Sequence, residues 1–151
     1  MRIEPEMLVL VADGRKLLIL RNAGTAGAPE LVVDHGEEQS NPPDRDHKSD
    51  AQGQRPGSFG PGQSSAGETD YHQQTEDRFA VHAADLLNKR ALKNGFDKLV
   101  VIAAPTTLGT LRRHYHGEVK ARLVAEIAKD MTGHSVADIT RHLADAEPAT
   151  A

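Results

Sequence analysis

The chain contains no cysteine and no tryptophan, and its aromatic residues are two tyrosines and three phenylalanines. The absence of cysteine excludes disulfide scaffolds, thiolate metal sites, cysteine nucleophiles and iron–sulfur clusters. No apolar run approaches the roughly 18 residues that a membrane-spanning helix needs. The sequence therefore predicts neither a membrane span nor any site that depends on a thiol.

The chain has 151 residues, which is the length of one ordinary domain. Its first six residues carry acids before a short apolar run, and this is not the pattern of a signal peptide. We therefore expect one cytoplasmic domain over residues 1–145, followed by a tail over 146–151.

The net charge of −4 hides an asymmetry along the chain. Residues 85–129 contain nine lysines and arginines against four acidic residues, so this stretch carries +5 and the remainder −9. A basic half of an acidic chain is either a docking face for a polyanion or the solvated side of amphipathic helices. The second interpretation is the commoner one, and the first stays open.

Three β-rich, apolar runs near the N-terminus predict an antiparallel meander. They cover residues 7–12, 16–21 and 30–35. The Asp13-Gly14 pair between the first two runs is typical of a hairpin, because glycine readily supplies the positive φ of such a turn. The runs are apolar at consecutive positions, which indicates cover on both faces of the sheet.

Residues 41–75 have a different composition. They hold four prolines and five glycines, and their only large apolar residues are Phe59 and Tyr71. Such a segment buries too little surface to offset the entropy lost on ordering. We predict a long flexible loop at 41–75.

After this segment the pattern predicts a helix, a strand and a second helix. The first helix starts near Thr69 and ends at a left-handed cap at Asn94-Gly95. A buried strand follows at 98–104, and the next helix starts at 105–107 with a threonine as its N-cap.

Two further helices are predicted in the last third of the chain. The first covers 118–129, where Val119, Leu123 and Ile127 fall on one stripe. The second follows the capping-box pattern that begins at Ser135 and runs to about residue 144. The fold class predicted from all these elements is α/β, or mixed α+β: a mixed β-sheet with an N-terminal antiparallel meander, covered by helices.

The junction between the buried strand and the helix that follows it is a candidate small-anion site at Thr106 and Thr107. Ligands of open α/β sheets bind beyond the carboxyl ends of strands, and the first amides of a helix can hold a phosphate. The junction carries no phosphate-loop or dinucleotide motif, so an ordinary helix start is the simpler interpretation.

Histidines and serines indicate no preassembled reactive centre. The eight histidines lack the spacing of a metal-binding motif, and the serines lack a nucleophile elbow. Surface or capping roles are favoured for the histidines. No metal and no cofactor is predicted.

Four blocks resemble the bacterial host-attachment protein family, which is named for attachment to host cells. They are V-A-D-G-R at 11–15, the D-R-D…S-D…G-S-F pattern across 44–59, E-D-R-F-A at 76–80, and the segment 96–132 with its A-P, L-G and L-R pairs. The resemblance spans about residues 8–143. It implies a binding protein without enzymatic activity, with an indirect role in attachment.

That family is in turn similar to the middle domain of archaeal and eukaryotic release factors. In those factors a Gly-Gly-Gln loop enters the peptidyl-transferase centre. Gly62-Gln63 matches the end of that motif, with Pro61 in place of its first glycine and with extra residues before Arg78. The resemblance makes Gln63 the candidate catalytic residue for peptidyl-tRNA hydrolysis, through its main chain and a positioned water.

A ribosome- or tRNA-associated factor is therefore the alternative to a host-attachment protein. Cations of the basic stretch would neutralise phosphates, and binding would fall steeply with salt. The candidate binding residues are Lys89, Arg90, Lys93, Arg112, Arg113, Lys120 and Arg122.

Overall fold

The computed structural model describes residues 1–39 and 61–146, with side chains in the first helix described from residue 71 onward. Five strands and four helices lie in these ranges. In chain order they are β1 (Leu8–Ala12), β2 (Lys16–Asn22), β3 (Leu31–Glu38), α1 (Pro61–Leu92), β4 (Leu99–Ala103), α2 (Pro105–His114), α3 (Gly117–Arg122), β5 (Leu123–Ala128) and α4 (Val136–Asp145).

The five strands form one mixed sheet in the order β3-β2-β1-β4-β5. β1 pairs antiparallel with β2, and β2 with β3, which confirms the predicted meander. β1, β4 and β5 run parallel to one another. The predicted α/β class, with a mixed sheet covered by helices, is confirmed.

Both faces of the sheet are covered, as the apolar runs predicted. Leu8, Leu10 and Ala12 of β1 pack in one core with residues from α1, α2 and α3. Val9 and Val11 point the other way and pack in a second core with α4 and with the segment before β1. The period of two along a strand therefore places three helices on one face and one helix on the other.

The predicted helix at 118–129 is wrong. Only the six residues of α3 are helical, and residues 123–128 form the edge strand β5. The spacing of Leu123 and Ile127 fits a helical stripe as well as it fits a strand. In the structure β5 pairs with β4, with a register shift at Leu99/Val100. The gain from parallel pairing with a fully buried strand outweighs the helix propensity of the Ala, Glu and Leu residues here.

Helix α1 begins at Pro61, so the part of the predicted flexible loop from 61 to 75 is helical. Proline suits the first helical position, where its missing N–H is not needed. The rest of that predicted loop, at 41–60, and the second block of the resemblance within it lie outside the described residues. The predicted tail at 146–151 lies outside them from residue 147.

The helix caps agree with the sequence in two places and differ in one. Asn94 has φ of 56°, as a left-handed cap requires, and Ser135 accepts a hydrogen bond from the Asp138 amide. The predicted threonine cap of α2 is wrong, because the N-cap is Ala104 and no side chain bonds there. Pro105 starts that helix without a side-chain cap.

Candidate functional site

The three parallel strands have two ends, which we call the carboxyl edge and the amino edge. The carboxyl edge lies where β1, β4 and β5 end, at Ala12, Ala103 and Ala128. The amino edge lies at the opposite end, where α1 and α2 end and α3 leads into β5. The candidate residues fall at one edge or the other.

Asp13 connects the carboxyl edge to the turn after β5. Its Oδ1 accepts hydrogen bonds from the amides of Arg15 (2.8 Å) and Lys16 (2.7 Å), and its Oδ2 accepts one from Thr132 Oγ1 (2.8 Å). Thr132 is 7% exposed, and its hydroxyl also lies 2.9 Å from Asp130 Oδ1. One threonine therefore links two carboxylates from different segments.

Gly14 lies directly under α1. A methyl group at this position would meet Glu76 Cγ at 2.7 Å and Glu76 Cβ at 2.9 Å. None of the described glycines has a positive φ, so the positive φ predicted for this turn is wrong, and Gly14 is needed for space. Three blocks of the resemblance, at 11–15, 76–80 and 96–132, meet at this edge.

The predicted anion site also lies at the carboxyl edge, at the start of α2. Thr106 is exposed, whereas Thr107 is only 6% exposed. The first amides of the helix have no acceptor within the helix itself. Thr106 is thus the one of the two threonines that an anion can reach, and anion binding there stays a prediction.

Glu37, near the end of β3, is held between two histidines that are far apart in sequence. His35 Nε2 lies 2.7 Å from Glu37 Oε2, and His82 Nε2 lies 2.9 Å from Oε1. The hydrogen bond with His35, and next the one with His82, lowers the pKa of Glu37. No sequence pattern indicates this contact, because His82 reaches Glu37 from α1.

The seven predicted phosphate-binding cations lie on the helices of one face. Lys89, Arg90 and Lys93 are on or just after α1, Arg112 and Arg113 are on α2, and Lys120 and Arg122 are on α3. Both α2 and α3 pack against α1. Because all three helices end near the amino edge, the cations collect there.

Carboxylates already engage four of these cations. The ion pairs are Lys89–Asp85 (3.2 Å), Arg90–Asp34 (3.3 Å), Arg112–Glu126 (3.0 Å) and Arg122–Glu118 (2.9 Å). Lys93, Arg113 and Lys120 are exposed and form no ion pair with any described residue. We call these three the unpaired cations.

Arg122 has a structural role that the sequence did not suggest. Its side chain is 15% exposed and donates to the Phe96 carbonyl (2.9 Å) and to Asn94 Oδ1 (3.0 Å). The guanidinium also lies over the Phe96 ring, 5.9 Å from its centre. Arg122 therefore ties α3 to the loop between α1 and β4 and is not available to a phosphate.

Asn88 fixes the linker between α2 and α3. Its side chain donates to the His114 carbonyl (3.0 Å) and accepts from the His116 amide (2.8 Å). His116 Nδ1 in turn accepts from the Glu118 amide and caps α3, as the capping interpretation predicted for some histidines. The amino edge is thus held in one arrangement by side chain to backbone bonds.

An open cleft of about 320 Å³ also lies at the amino edge. Its walls include Glu4, Glu6 and Asp97 beside the single cation Lys98. Three carboxylates against one cation disfavour an anion, so the cleft does not extend the cationic surface.

Gln63 lies in the first turn of α1 and not in a flexible loop. Its side chain lies outside the described residues. The first buried side chain described in this helix is Phe79, 16 residues later, which is about 24 Å along the axis. The helix start therefore lies well away from the core and on the carboxyl-edge side.

Within the described ranges no group of three or more His, Asp or Glu side chains can hold a metal ion. No helix in those ranges is both long enough and apolar enough to cross a membrane.

Comparison with family models matches residues 6–143 to bacterial archaeo-eukaryotic release factor family 12. The match runs from just before β1 almost to the end of α4. A search of curated proteins finds no match. The family match supports the release-factor part of the resemblance and adds nothing to the host-attachment part.

Proposed function

The chain belongs to bacterial archaeo-eukaryotic release factor family 12, and we propose that it binds ribosomal RNA or tRNA through phosphates at the amino edge. The unpaired cations carry this proposal. Lys93, Arg113 and Lys120 come from three different segments of one helical layer, and no described carboxylate neutralises them. The bonds of Asn88 and Arg122 hold that layer in place, so the backbone that carries the cations is fixed before a ligand arrives.

Binding through these cations has a characteristic salt dependence. Each neutralised phosphate releases counterions, so three contacts give a slope of about −2 to −3 in log affinity against log salt. The measurement is a titration of bulk deacylated tRNA and of ribosomal subunits between low and physiological salt. Absence of binding at low salt would reject the proposal.

A triple variant tests whether the amino edge makes the contacts. Lys93→Ala, Arg113→Ala and Lys120→Ala together should reduce affinity at least about tenfold and flatten the salt slope. The matched control replaces Arg15, Arg78 and Lys129, which are exposed, form no ion pair with a described residue and lie away from the amino edge. Both variants lose three positive charges, so equal losses of affinity would mean that net charge and not the amino edge is responsible.

Hydrolysis of peptidyl-tRNA through Gln63 is the second candidate. Its support is the family match together with the place of Gly62-Gln63 at the start of a 32-residue helix. Because the role falls on the main chain, turnover of peptidyl-tRNA should disappear in Gln63→Pro, which removes a main-chain N–H that the first helical turn does not use, and persist in Gln63→Ala, which keeps it. Equal turnover in both variants would remove the catalytic role.

A cytoplasmic location and an indirect role in attachment to host cells are further parts of the proposal. Ribosomes and tRNA are cytoplasmic, so we propose the cytoplasm as the place of action, testable by fractionation of cells. A role in attachment would then be indirect, through translation, and a deletion strain would show it only together with a change in protein synthesis.

A further inference from the structure

Two buried polar atoms beside Arg112 have no hydrogen-bond partner in the described part of the chain. They are Tyr115 Oη and Glu126 Oε2. Tyr115 is 8% exposed, and the Glu126 side chain is 18% exposed. A buried donor or acceptor without a partner destabilises a fold, so such a pair calls for a physical explanation.

The two groups are complementary neighbours. Burial, and after it the charge of Glu126, raises the pKa of Tyr115, so the phenol remains protonated and able to donate. The other carboxylate oxygen of Glu126 accepts a hydrogen bond from Arg112 Nε at 3.0 Å. Arg112 is 57% exposed, so it covers Glu126 from the solvent side.

We propose that Arg112 is an exchangeable cation: when it turns to a phosphate, the freed Glu126 carboxylate accepts a hydrogen bond from Tyr115 Oη. This inference rests on the proposed function, since it adds a fourth phosphate contact to the amino edge. When Arg112 leaves, the Glu126 carboxylate, whose side chain is only 18% exposed, loses its charged partner, and this costs free energy. Tyr115 lowers that cost, and it is therefore a positioning residue for Arg112.

The exchange can be tested without any anion. The chain has no tryptophan and two tyrosines, so Tyr71→Phe leaves Tyr115 as the only emitter. A phenol that donates to a carboxylate loses emission, so adding Arg112→Ala should lower the Tyr115 fluorescence. Arg113→Ala is the matched control, because Arg113 donates to Thr110 and touches no carboxylate. Equal emission in both variants would overturn the exchange.

A phosphate ligand should produce the same signal. Inorganic polyphosphate is transparent where tyrosine absorbs, and it should lower the emission of the Tyr71→Phe protein but not that of Tyr71→Phe/Glu126→Gln. Polyphosphate that binds without changing the emission would overturn this inference and leave the proposed function intact. Failure to bind polyphosphate and tRNA would reject the proposed function, while the anion-free test would still decide the exchange.

Affinity gives the last readout. Tyr115→Phe should weaken tRNA binding between about twofold and tenfold, the value of one hydrogen bond. In the Glu126→Gln background, where Arg112 has no carboxylate to leave, the same change should have no effect. Equal effects in the two backgrounds would mean that Tyr115 acts only on folding, which thermal melting of all four proteins checks.

Discussion

The carboxyl edge and the amino edge end the same three strands but differ in how their charged side chains are engaged. The carboxyl edge gathers Asp13, Glu37, Glu76 and Asp130, and two of these, Asp13 and Glu37, accept hydrogen bonds from other segments of the chain. The amino edge gathers lysines and arginines, of which some are engaged and some are exposed without a carboxylate partner in the described chain.

The difference between the two edges shows which charged side chains are free to bind a ligand. Ligands of open α/β sheets are expected at the carboxyl edge. Here the polar groups of that edge mainly satisfy one another, and the sequence blocks that meet there position α1 and the turn after β5. The amino edge instead combines a rigid part, built on Arg122 and Asn88, with the unpaired cations. Recognition of a polyanion therefore fits the amino edge better.

Arg122→Ala should have the largest effect on stability. It removes the hydrogen bonds to the Phe96 carbonyl and to Asn94 from a side chain that is largely buried, and we expect a loss of about 2–3 kcal/mol. Lys120→Ala, two residues earlier, should change stability by less than about 0.5 kcal/mol. Urea unfolding measures both. Similar losses of unfolding free energy in the two variants would mean that Arg122 is no more structural than Lys120.

Gly14→Ala should have the next largest effect, at the carboxyl edge. The added methyl group collides with Glu76, and overpacking of this kind costs about 1–3 kcal/mol. Because the φ of Gly14 is not positive, the cause is space, and Glu76→Gly in the same chain, which removes Cβ as well as the outer atoms, should restore much of the loss. A double-mutant cycle measures the coupling. Absence of rescue would point to the backbone instead of to α1.

The sequence predicts the parts of the fold that local pattern determines. The runs of β1 and β4 are short, apolar at every position and rich in β-branched residues, which predicts buried strands. Ser135 predicts the start of α4 through its cap. Residues 123–128 have helical and strand periods at once, and only the parallel pairing with β4 decides between them. Local pattern therefore fails where a distant strand supplies the deciding energy.

The candidate site is less predictable for the same reason. The sequence identifies the cations at the amino edge as a class, but Arg112 and Arg122 differ from their neighbours only through residues that the fold brings close. The nearness of Tyr115 to Glu126 and the contact of His82 with Glu37 both arise between separate elements of the fold. Gly14 is recognised as special from sequence, yet the reason is a helix that begins almost fifty residues later.

Acid unfolding should show the smallest effect and should again distinguish the two edges. Hydrogen bonds to His35 and His82 lower the pKa of Glu37 in the folded protein below its ordinary value of 4.5. A depressed pKa contributes stability that is present above the ordinary value and is lost as the pH falls through the folded one. Glu37→Gln should therefore destabilise the protein at neutral pH, and the difference in unfolding free energy from the parent should shrink below about pH 4.5.

Glu38→Gln is the matched control, since this exposed neighbour has no side-chain partner in the described ranges. Urea titrations at several pH values give both curves, and parallel curves for the two variants would show that the histidines do not hold Glu37.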